Sequence, residues 1–511
     1  MLAKVISSTV LGIEAIKVAV EVDVSGGLPG FSIVGLPDAV VRESINRVKA
    51  AIKNCGFSFP RRKITVNLAP ADIKKEGPCF DLPVALGVLA ATGQINKEAL
   101  NGKVFCGELS LDGSLKPITG VLPRAMALRN SYYRQLLLPS ENAKEAAVVG
   151  DIEVLALENL GQAAAYLNND LEIKNTKVDT ENLWQGKGSY EFDFADVKGQ
   201  QHIKRGLEVA AAGGHNLLLI GSPGAGKTML AKCMPGILPQ ATIQEALETT
   251  KIHSVAGLIS NGRTVISDRP FRAPHHSISD VALIGGGTHP KPGEISLSHN
   301  GVLFLDELPE FRRNVLEALR QPLEAGYITV SRIASTVSFP ARFILISACN
   351  PCPCGFFLDD SRQCHCSPHQ IQRYLSKISG PLLDRIDIHL EVPRLKYEQM
   401  ALKNKAETSL EIRERVNKAR QIQEKKLKEF GYCYNAHMNA PTTEKVCILT
   451  EDAKELLKMA ILNLGLSARA YHKILKISRT IADLSASETI KSEHISEAIS
   501  YRCLDRNLWT L

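Results

Sequence analysis

A glycine-rich segment that follows a short apolar run is the part of this sequence best suited to chemistry. The run Leu217–Ile220 leads into a G-x-x-x-x-G-K-T pattern, and a helical stretch follows from Met229. Glycines let backbone N–H groups curl around phosphate oxygens, and the following helix adds the positive end of its dipole. The sequence therefore predicts a loop that binds a nucleoside triphosphate through Gly221, Ser222, Pro223, Gly224, Ala225, Gly226, Lys227 and Thr228.

Two carboxylates at the end of a second apolar run, 302–305, extend this prediction to hydrolysis. They are Asp306 and Glu307. In such a site Lys227 reaches the β- and γ-phosphates, while the Thr228 hydroxyl and Asp306 hold Mg²⁺. Glu307 is then placed to orient the attacking water and take its proton.

A third apolar run, 343–348, ends close to Asn350. A side-chain amide at the end of a strand can contact the γ-phosphate or the attacking water. The same asparagine could instead cap the turn before Pro351. Its position after the third strand of the predicted sheet favours the sensing role.

Five of the twelve cysteines lie between residues 349 and 366. Four thiolates suit one closed structural Zn²⁺ site, and two C-x-C pairs offer them. The spacing differs from the standard C-x₂-C pair, so a chance cluster of reduced thiols is the alternative to a zinc site. His365 could replace one of the four cysteines as a zinc ligand. No carboxylate or cysteine nearby completes a site with the adjacent His275 and His276, and no metal site is predicted there. The predicted zinc ligands are Cys352, Cys354, Cys364 and Cys366.

The elements that must position these residues fall into three blocks. Residues 1 to about 180 mix β-like and helical runs, and the polar stretch 168–187 is typical of a linker. From 192 to about 393, apolar strands alternate with helices, which predicts a parallel sheet flanked by helices. The stretches 398–430 and 450–503 have helical patterns.

Composition and charge narrow the class of protein. The chain has 511 residues, of which 23% are charged and 44% hydrophobic, and its formal net charge is +7. This mild charge permits a nucleic-acid partner without requiring one. The sequence contains no apolar run near the ~18 residues that a membrane span needs, and its N-terminal stretch does not match a signal peptide. We therefore expect a cytoplasmic protein with reduced thiols and no membrane partner.

Several longer segments resemble the YifB/ComM family, which belongs to the magnesium-chelatase-like and MCM-like branch of the AAA+ ATPases. The matching segments are 269–276, 350–355, 380–387 and 467–471, and the resemblance runs nearly from end to end. It implies ATP and Mg²⁺ as cofactors and an α/β fold of three domains. These are a Lon-protease-like (ribosomal S5 domain 2-like) α+β domain over 1–180, an AAA+ P-loop core with a magnesium-chelatase-like insert and the cysteine cluster over 181–395, and a helical lid over 396–511.

The resemblance also assigns roles to two arginines. Arg385 matches the arginine finger that one subunit presents to its neighbour's nucleotide, and Arg469 matches the second sensor arginine of the lid. From spacing alone, both could be ordinary surface or salt-bridge arginines. A finger that acts on a neighbour requires a ring, and related motors form homo-hexamers.

A segment with alternating apolar and polar residues, 327–338, predicts a β-hairpin with Arg332 near its tip. In MCM-like helicases, a hairpin at this point of the chain directs a basic residue into the channel of the ring. Arg332 is therefore a candidate DNA contact that grips phosphates without reading bases. An ordinary exposed hairpin arginine is the alternative.

The segment 74–81 resembles the part of Lon-type proteases that carries the nucleophilic serine, but Cys79 stands at the serine position. Leu122 occupies the place of the catalytic lysine, so the resemblance implies a proteolytically inactive domain. The leading hypothesis is thus an ATP-driven ring that remodels DNA by branch migration. A chelatase-type motor acting on a protein or in metal insertion is the alternative, and an ATP-dependent protease is disfavoured.

Overall fold

The computed structural model describes residues 1–129, 131–179, 190–259, 264–287, 290–332, 335–357, 359, 362–395, 406–464 and 467–502. The chain divides into two compact units. Unit 1 comprises Met1–Gly186 and Ala246–Ile266, and unit 2 comprises Lys187–Glu245 and Ser267–Leu511.

Unit 1 is built on a seven-stranded mixed sheet. Unit 1 has nine described strands, seven of which form this sheet. They are β1 Leu2–Leu11, β2 Glu14–Ser25, β3 Gly30–Val34, β4 Lys63–Ala69, β5 Lys103–Phe105, β6 Glu108–Leu109, β7 Leu115–Lys116, β8 Gln135–Pro139 and β9 Glu153–Leu157. The sheet has the order β3-β4-β2-β1-β5-β8-β9, and β6 and β7 form a separate pair. Strands β1, β2 and β4 pair antiparallel, whereas β3 with β4 and the run β1-β5-β8-β9 pair parallel.

The helices of unit 1 follow from their sequence patterns. In α1, the buried residues recur at helical spacing, and the Asp38 carboxylate accepts a hydrogen bond from the Val41 N–H at its start. Helix α2 is apolar all round and completely buried, which places it in the core. The helices are α1 Ala39–Asn54, α2 Asp81–Ala91, α3 Val121–Leu128, α4 Ser140–Ala147 and α5 Leu160–Leu167, with 3₁₀ turns at Pro78–Phe80 and Glu98–Leu100.

Unit 2 contains a five-stranded parallel sheet in the order β11-β14-β17-β10-β18. The three central strands are fully buried and apolar except for Ser347 of β17, as expected for a sheet covered on both faces. The strands of this unit are β10 Leu217–Ile220, β11 Phe271–Arg272, β12 Gly285–Gly286, β13 Lys291–Pro292, β14 Val302–Leu305, β15 Tyr327–Arg332, β16 Ser335–Pro340, β17 Ile344–Cys349 and β18 Ile388–Glu391.

Helices cover this sheet and form the C-terminal part of the chain. Thr408 and Glu411 make a reciprocal capping box at the start of the long helix Ser409–Leu427 (α15), and Ser467 caps the helix Ala468–Leu484 (α18). Helix α8 begins in unit 2, and from Ala246 its residues belong to unit 1. The helices are α6 Gln201–Gly213, α7 Lys227–Ile237, α8 Ile243–Ala256, α9 Asp280–Ile284, α10 Glu294–Leu297, α11 Arg313–Ala318, α12 Arg320–Ala325, α13 Pro368–Leu375, α14 Gly380–Leu383, α15 Ser409–Leu427, α16 Ala440–Val446, α17 Glu451–Leu464, α18 Ala468–Leu484 and α19 Ser492–Ser500.

Short 3₁₀ turns complete unit 2 at Phe194–Asp196, Leu308–Glu310, Lys428–Phe430 and Asn435–His437. The predicted fold class, an α/β core with a parallel sheet and a helical C-terminal region, is confirmed. Because β10, β14 and β17 are parallel neighbours, the residues that follow them meet at one edge of the sheet. No helix in the described part of the chain has both the length and the apolar character needed to cross a bilayer.

Candidate functional site

The glycine-rich loop joins β10 to α7 at the carboxyl edge of the parallel sheet. Gly224 and Gly226 have φ angles of 79° and 90°, which lie in the left-handed region that favours glycine. A Cβ atom at either position would meet nothing within 4 Å, so the backbone of the loop faces open space. The loop leads directly into the N-terminus of α7. This arrangement fits the phosphates of a nucleotide.

Lys227 lies across the loop with its ammonium group held by neutral oxygens. Its Nζ donates to the carbonyls of Gly221 and Ser222 at 2.7 and 3.0 Å and to Asn350 Oδ1 at 3.1 Å. Burial lowers the pKa of Lys227. Ile220 pairs with Cys349 in the sheet, so the sequence-predicted Asn350 follows directly beside the start of the loop. A phosphate oxygen offers this ammonium the anionic partner that its three neutral acceptors lack.

The residues predicted to hold Mg²⁺ lie together. Thr228 Oγ1 donates to Asp306 Oδ2 at 2.7 Å, and the Glu307 N–H donates to Asp306 Oδ1 at 3.0 Å. A hydroxyl and a carboxylate are hard oxygen ligands of the kind that Mg²⁺ takes beside phosphate oxygens. When bound, ATP–Mg²⁺ supplies the electrophilic phosphorus and the charge neutralisation, and Thr228, Asp306 and Lys227 are the residues placed to hold it.

The two predicted arginines contact carboxylates of the same chain. The Arg385 guanidinium pairs with Glu324 of α12 and with the Pro381 carbonyl, and 14% of its side chain is exposed. Arg469, at the start of α18, donates to Asp384 Oδ2 at 2.7 Å. These contacts do not join either arginine to the glycine-rich loop. The two ion pairs thus involve neighbouring residues of the chain: Arg385 belongs to the first pair and Asp384 to the second.

The four cysteines predicted to bind zinc converge, and all four Sγ atoms lie within 4.8 Å of one another. Cys352 Sγ is 3.3 Å from Cys354 Sγ and 3.8 Å from Cys364 Sγ, and Cys354 and Cys364 are 3.6 Å apart. Four thiolates at about 2.3 Å from one tetrahedral Zn²⁺ stand about 3.8 Å from each other. The spacing of the sulfurs therefore fits a structural metal, and the two C-x-C pairs do supply one compact donor set.

The segment that carries the four cysteines packs against the glycine-rich loop. Gly355 has a φ of 86°, and a Cβ there would lie 2.6 Å from Pro223 Cδ and 3.8 Å from the side-chain carbon of Asn350. Glycine therefore permits a close approach that another residue would block. A metal bound to the four cysteines would hold this segment in place and would thereby also hold the glycine-rich loop and Asn350, which Gly355 approaches.

The predicted hairpin is formed by β15 and β16, and Arg332 pairs with Ser335 at its end. The Arg332 side chain lies outside the described atoms. One face of the hairpin is buried, and the other carries hydroxyl pairs, Thr329–Ser338 at 3.2 Å and Ser331–Thr336 at 3.1 Å. A row of exposed hydroxyls that leads to an arginine is suited to contact with a phosphate backbone.

In unit 1, the residue that faces Cys79 is Arg124 rather than Leu122. Arg124 Nη2 lies 3.5 Å from Cys79 Sγ, whereas Leu122 donates its N–H to Glu145. Burial raises the pKa of the Cys79 thiol to about 11, and the guanidinium only partly offsets that effect. Burial therefore disfavours the thiolate, and arginine does not serve as a base. The Cys79–Arg124 contact differs from the Ser–Lys dyad of Lon-type proteases, in which an amine activates the hydroxyl.

His276 is a site residue that sequence reasoning did not identify. Its Nδ1 lies 3.4 Å from Glu307 Oε2. The His-His pair closely follows β11, a neighbour of β14 in the same parallel sheet. A strand of two residues is too short to recognise from its pattern.

Three family models match successive parts of the chain. "Magnesium chelatase, subunit ChlI" matches residues 193–400, "Subunit ChlI of Mg-chelatase" matches 20–142, and "Magnesium chelatase, subunit ChlI C-terminal" matches 406–502. Together they cover the parallel sheet of unit 2 with its glycine-rich loop, most of unit 1 and the C-terminal helices.

Comparison with individual proteins gives similarities over the whole length. The chain is 46% identical to Competence protein ComM of Haemophilus influenzae, over 100% of this chain and 99% of that protein. It is 42% identical to the YifB protein of Escherichia coli, over 98% of this chain and 96% of that protein. The magnesium-chelatase 38 kDa subunit of Rhodobacter capsulatus is 25% identical over 31% of this chain and 50% of that subunit.

Proposed function

This chain belongs to the ComM/YifB family of magnesium-chelatase-like AAA+ ATPases, and from that premise we propose that it is a ring-forming motor that hydrolyses ATP to remodel DNA. The observation that carries the ATPase assignment is the meeting of Lys227, Thr228, Asp306 and Asn350 at one sheet edge. In the proposed ring, Glu307 activates the water on one protomer and Arg385 reaches the nucleotide of the next.

The proposed steps follow from these side chains. Lys227 and the loop N–H groups bind the β- and γ-phosphates, and Thr228 and Asp306 hold the Mg²⁺ that travels with ATP. Glu307 accepts a proton from the attacking water, and Asn350 orients that water or the γ-phosphate. Arg385 of the neighbouring protomer spreads the charge that develops on the phosphoryl oxygens, and Arg469 of the lid contacts the bound nucleotide. Arg385 must then leave Glu324 when the ring forms.

DNA is the substrate best supported by the hairpin and by the relative named Competence protein ComM. The exposed hydroxyl face of β15–β16 ends at Arg332, where a guanidinium can hold phosphates irrespective of sequence. Recognition of this kind suits a motor that moves along DNA and drives branch migration during recombination.

DNA is expected to stimulate ATP turnover several-fold, and the stimulation is expected to fall steeply between about 50 and 200 mM salt, because phosphate contacts release counterions. The measurement compares turnover with single-stranded, duplex and forked DNA. Lys227→Ala is expected to be inactive throughout, and Arg332→Ala to keep basal turnover but lose stimulation.

Two outcomes would replace this proposal. If DNA of every form leaves turnover unchanged and a protein partner raises it, the chelatase-type motor is the better assignment, which the magnesium-chelatase similarity already makes the second candidate. If protein substrate is degraded and Cys79→Ala stops the degradation, the protease assignment returns. The burial of Cys79, which raises the pKa of its thiol, and its contact with Arg124 weigh against that result.

We further propose that the cysteine cluster holds one structural Zn²⁺ per chain. Metal analysis of protein never exposed to chelator is expected to find about one zinc per chain. The double variant Cys352→Ser, Cys364→Ser is expected to lack zinc and to melt several degrees lower, because loss of a structural metal removes a folding cross-link.

Cys433→Ser is the matched control, since Cys433 is an exposed thiol outside the cluster. It is expected to retain zinc and melting temperature. Wild-type protein free of zinc, or a double variant that binds as much zinc as wild type, would remove the proposed site.

A further inference from the structure

An imidazole contacts the carboxylate proposed to activate water. His276 Nδ1 lies 3.4 Å from Glu307 Oε2, and the two side chains are 34% and 56% exposed. Both groups are open to solvent, so burial alone does not force them together. The contact needs its own explanation.

His276 and Glu307 follow two neighbouring strands of the parallel sheet. Strands β11 and β14 are parallel, with Arg272 opposite Leu303. His276 comes four residues after Arg272 in the sequence, and Glu307 comes four residues after Leu303. Arg272 anchors the base of the loop through two hydrogen bonds to Glu294, at 2.5 and 2.6 Å. The Arg272–Glu294 pair therefore holds the start of the segment that leads to His276, next to the strand that leads to Glu307.

Further contacts restrict the His276 ring. The His275 ring lies 4.0 Å away between centroids, and the Phe311 ring meets it edge-on at 6.4 Å. His275 Nδ1 is itself 2.8 Å from Ser277 Oγ. An open cleft of about 440 Å³ follows this loop and includes His275 and Ser277 in its lining. The ring is thus held from two sides beside Glu307.

Glu307 has an unusual backbone. Its φ is 53°, in the left-handed region that non-glycine residues rarely occupy. Such conformations persist where the surroundings determine them, and they cluster at functional sites. The Glu307 N–H is bound to Asp306 Oδ1, which fixes the main chain and leaves the side chain to be oriented by another partner.

Metal binding is a poor explanation for the pair. Among the described residues, the cluster of metal-ligating side chains is the four-cysteine group, and His275, His276 and Glu307 form no second one. The arrangement is instead that of an imidazole nitrogen 3.4 Å from a carboxylate oxygen, a contact that orients both groups when that nitrogen carries a proton.

We propose that His276 is a positioning residue for Glu307: its imidazole N–H holds the carboxylate in the orientation that accepts the proton of the attacking water. The role rests on the proposed ATP hydrolysis at this site. It requires no ligand, metal or partner beyond those already assigned.

The test compares His276→Ala and His276→Gln in the full-length chain. His276→Ala is expected to lower kcat about 10- to 100-fold, because small displacements of a reacting group are costly, while the KM for ATP changes less than about twofold. His276→Gln, whose amide can still donate to the carboxylate, is expected to recover most of the kcat. His369→Ala, which removes an exposed histidine of α13, is the matched control and is expected to keep kcat within about threefold.

An unchanged kcat in His276→Ala would overturn the inference. So would parallel losses of kcat, ATP affinity and melting temperature that His276→Gln fails to restore, because those losses indicate a structural role. The experiment uses basal turnover without DNA. If DNA fails to stimulate the wild type but His276→Ala still lowers basal kcat, the DNA proposal fails and the positioning role stands. If the wild type hydrolyses no ATP, the proposed function and this role fall together.

Discussion

Arg385→Ala is expected to lower ATP turnover by about 10³-fold or more while ATP binding stays within a few-fold of wild type. A guanidinium from the neighbouring protomer stabilises charge only as the γ-phosphoryl group transfers, so its loss affects kcat rather than affinity. Steady-state turnover and the Kd of a fluorescent ATP analogue measure the two quantities separately. Size-exclusion chromatography with light scattering shows whether the variant still assembles.

Two variants calibrate the Arg385 result. Arg385→Lys keeps a positive charge but not the planar fork, and it is expected to recover only part of the turnover. Arg129→Ala removes an exposed arginine of unit 1 that pairs with Asp151 at the surface, and its turnover is expected to match wild type. If Arg385→Ala turns over ATP at the wild-type rate, the finger assignment is wrong.

Glu307→Gln is expected to reduce turnover about 10²- to 10⁴-fold and to retain bound ATP, because the amide keeps the shape of the side chain but cannot accept the proton. The measurement is single-turnover hydrolysis of pre-bound ATP, which separates the chemical step from binding and product release. A variant that hydrolyses bound ATP at more than about a tenth of the wild-type rate would contradict the role of Glu307 as the base.

Glu310→Gln is the matched control for this change. Glu310 lies three residues further on, is exposed, and pairs at the surface with Lys377 at 3.3 Å. The same chemical substitution there is expected to leave turnover unchanged. A similar loss of turnover in both variants would mean that negative charge on this surface supports the reaction, and that Glu307 has no specific role as a base.

The parts of the site that lie in one local stretch of sequence could be predicted, because strand, loop and helix are consecutive there. The glycine loop and the Asp306–Glu307 strand end are of this kind. Asn350 was predicted from the end of a third apolar strand, and the sheet places it beside Lys227 because β10 and β17 are neighbours.

The parts that depend on long-range packing could not be predicted. The contact of His276 with Glu307 depends on β11, a strand of two residues without a readable pattern. The contact of Arg124 with Cys79 depends on how α3 packs, whereas the family resemblance points to Leu122, two residues earlier. The segment Ala246–Ile266 belongs to unit 1 although the chain on both sides belongs to unit 2. Sequence order alone does not reveal which core a helix joins.

The central claim, that each ATP is hydrolysed between two protomers, is tested most directly by mixing Arg385→Ala with Glu307→Gln. Each variant alone is expected to be nearly inactive. In mixed head-to-tail rings, an Arg385→Ala protomer supplies an intact Glu307, and its Glu307→Gln neighbour supplies an intact Arg385. Random mixing makes about a quarter of the interfaces complete, so turnover is expected to rise to about that fraction of wild type. Turnover that stays at the level of the separate variants, in mixtures proven to co-assemble, would contradict the claim.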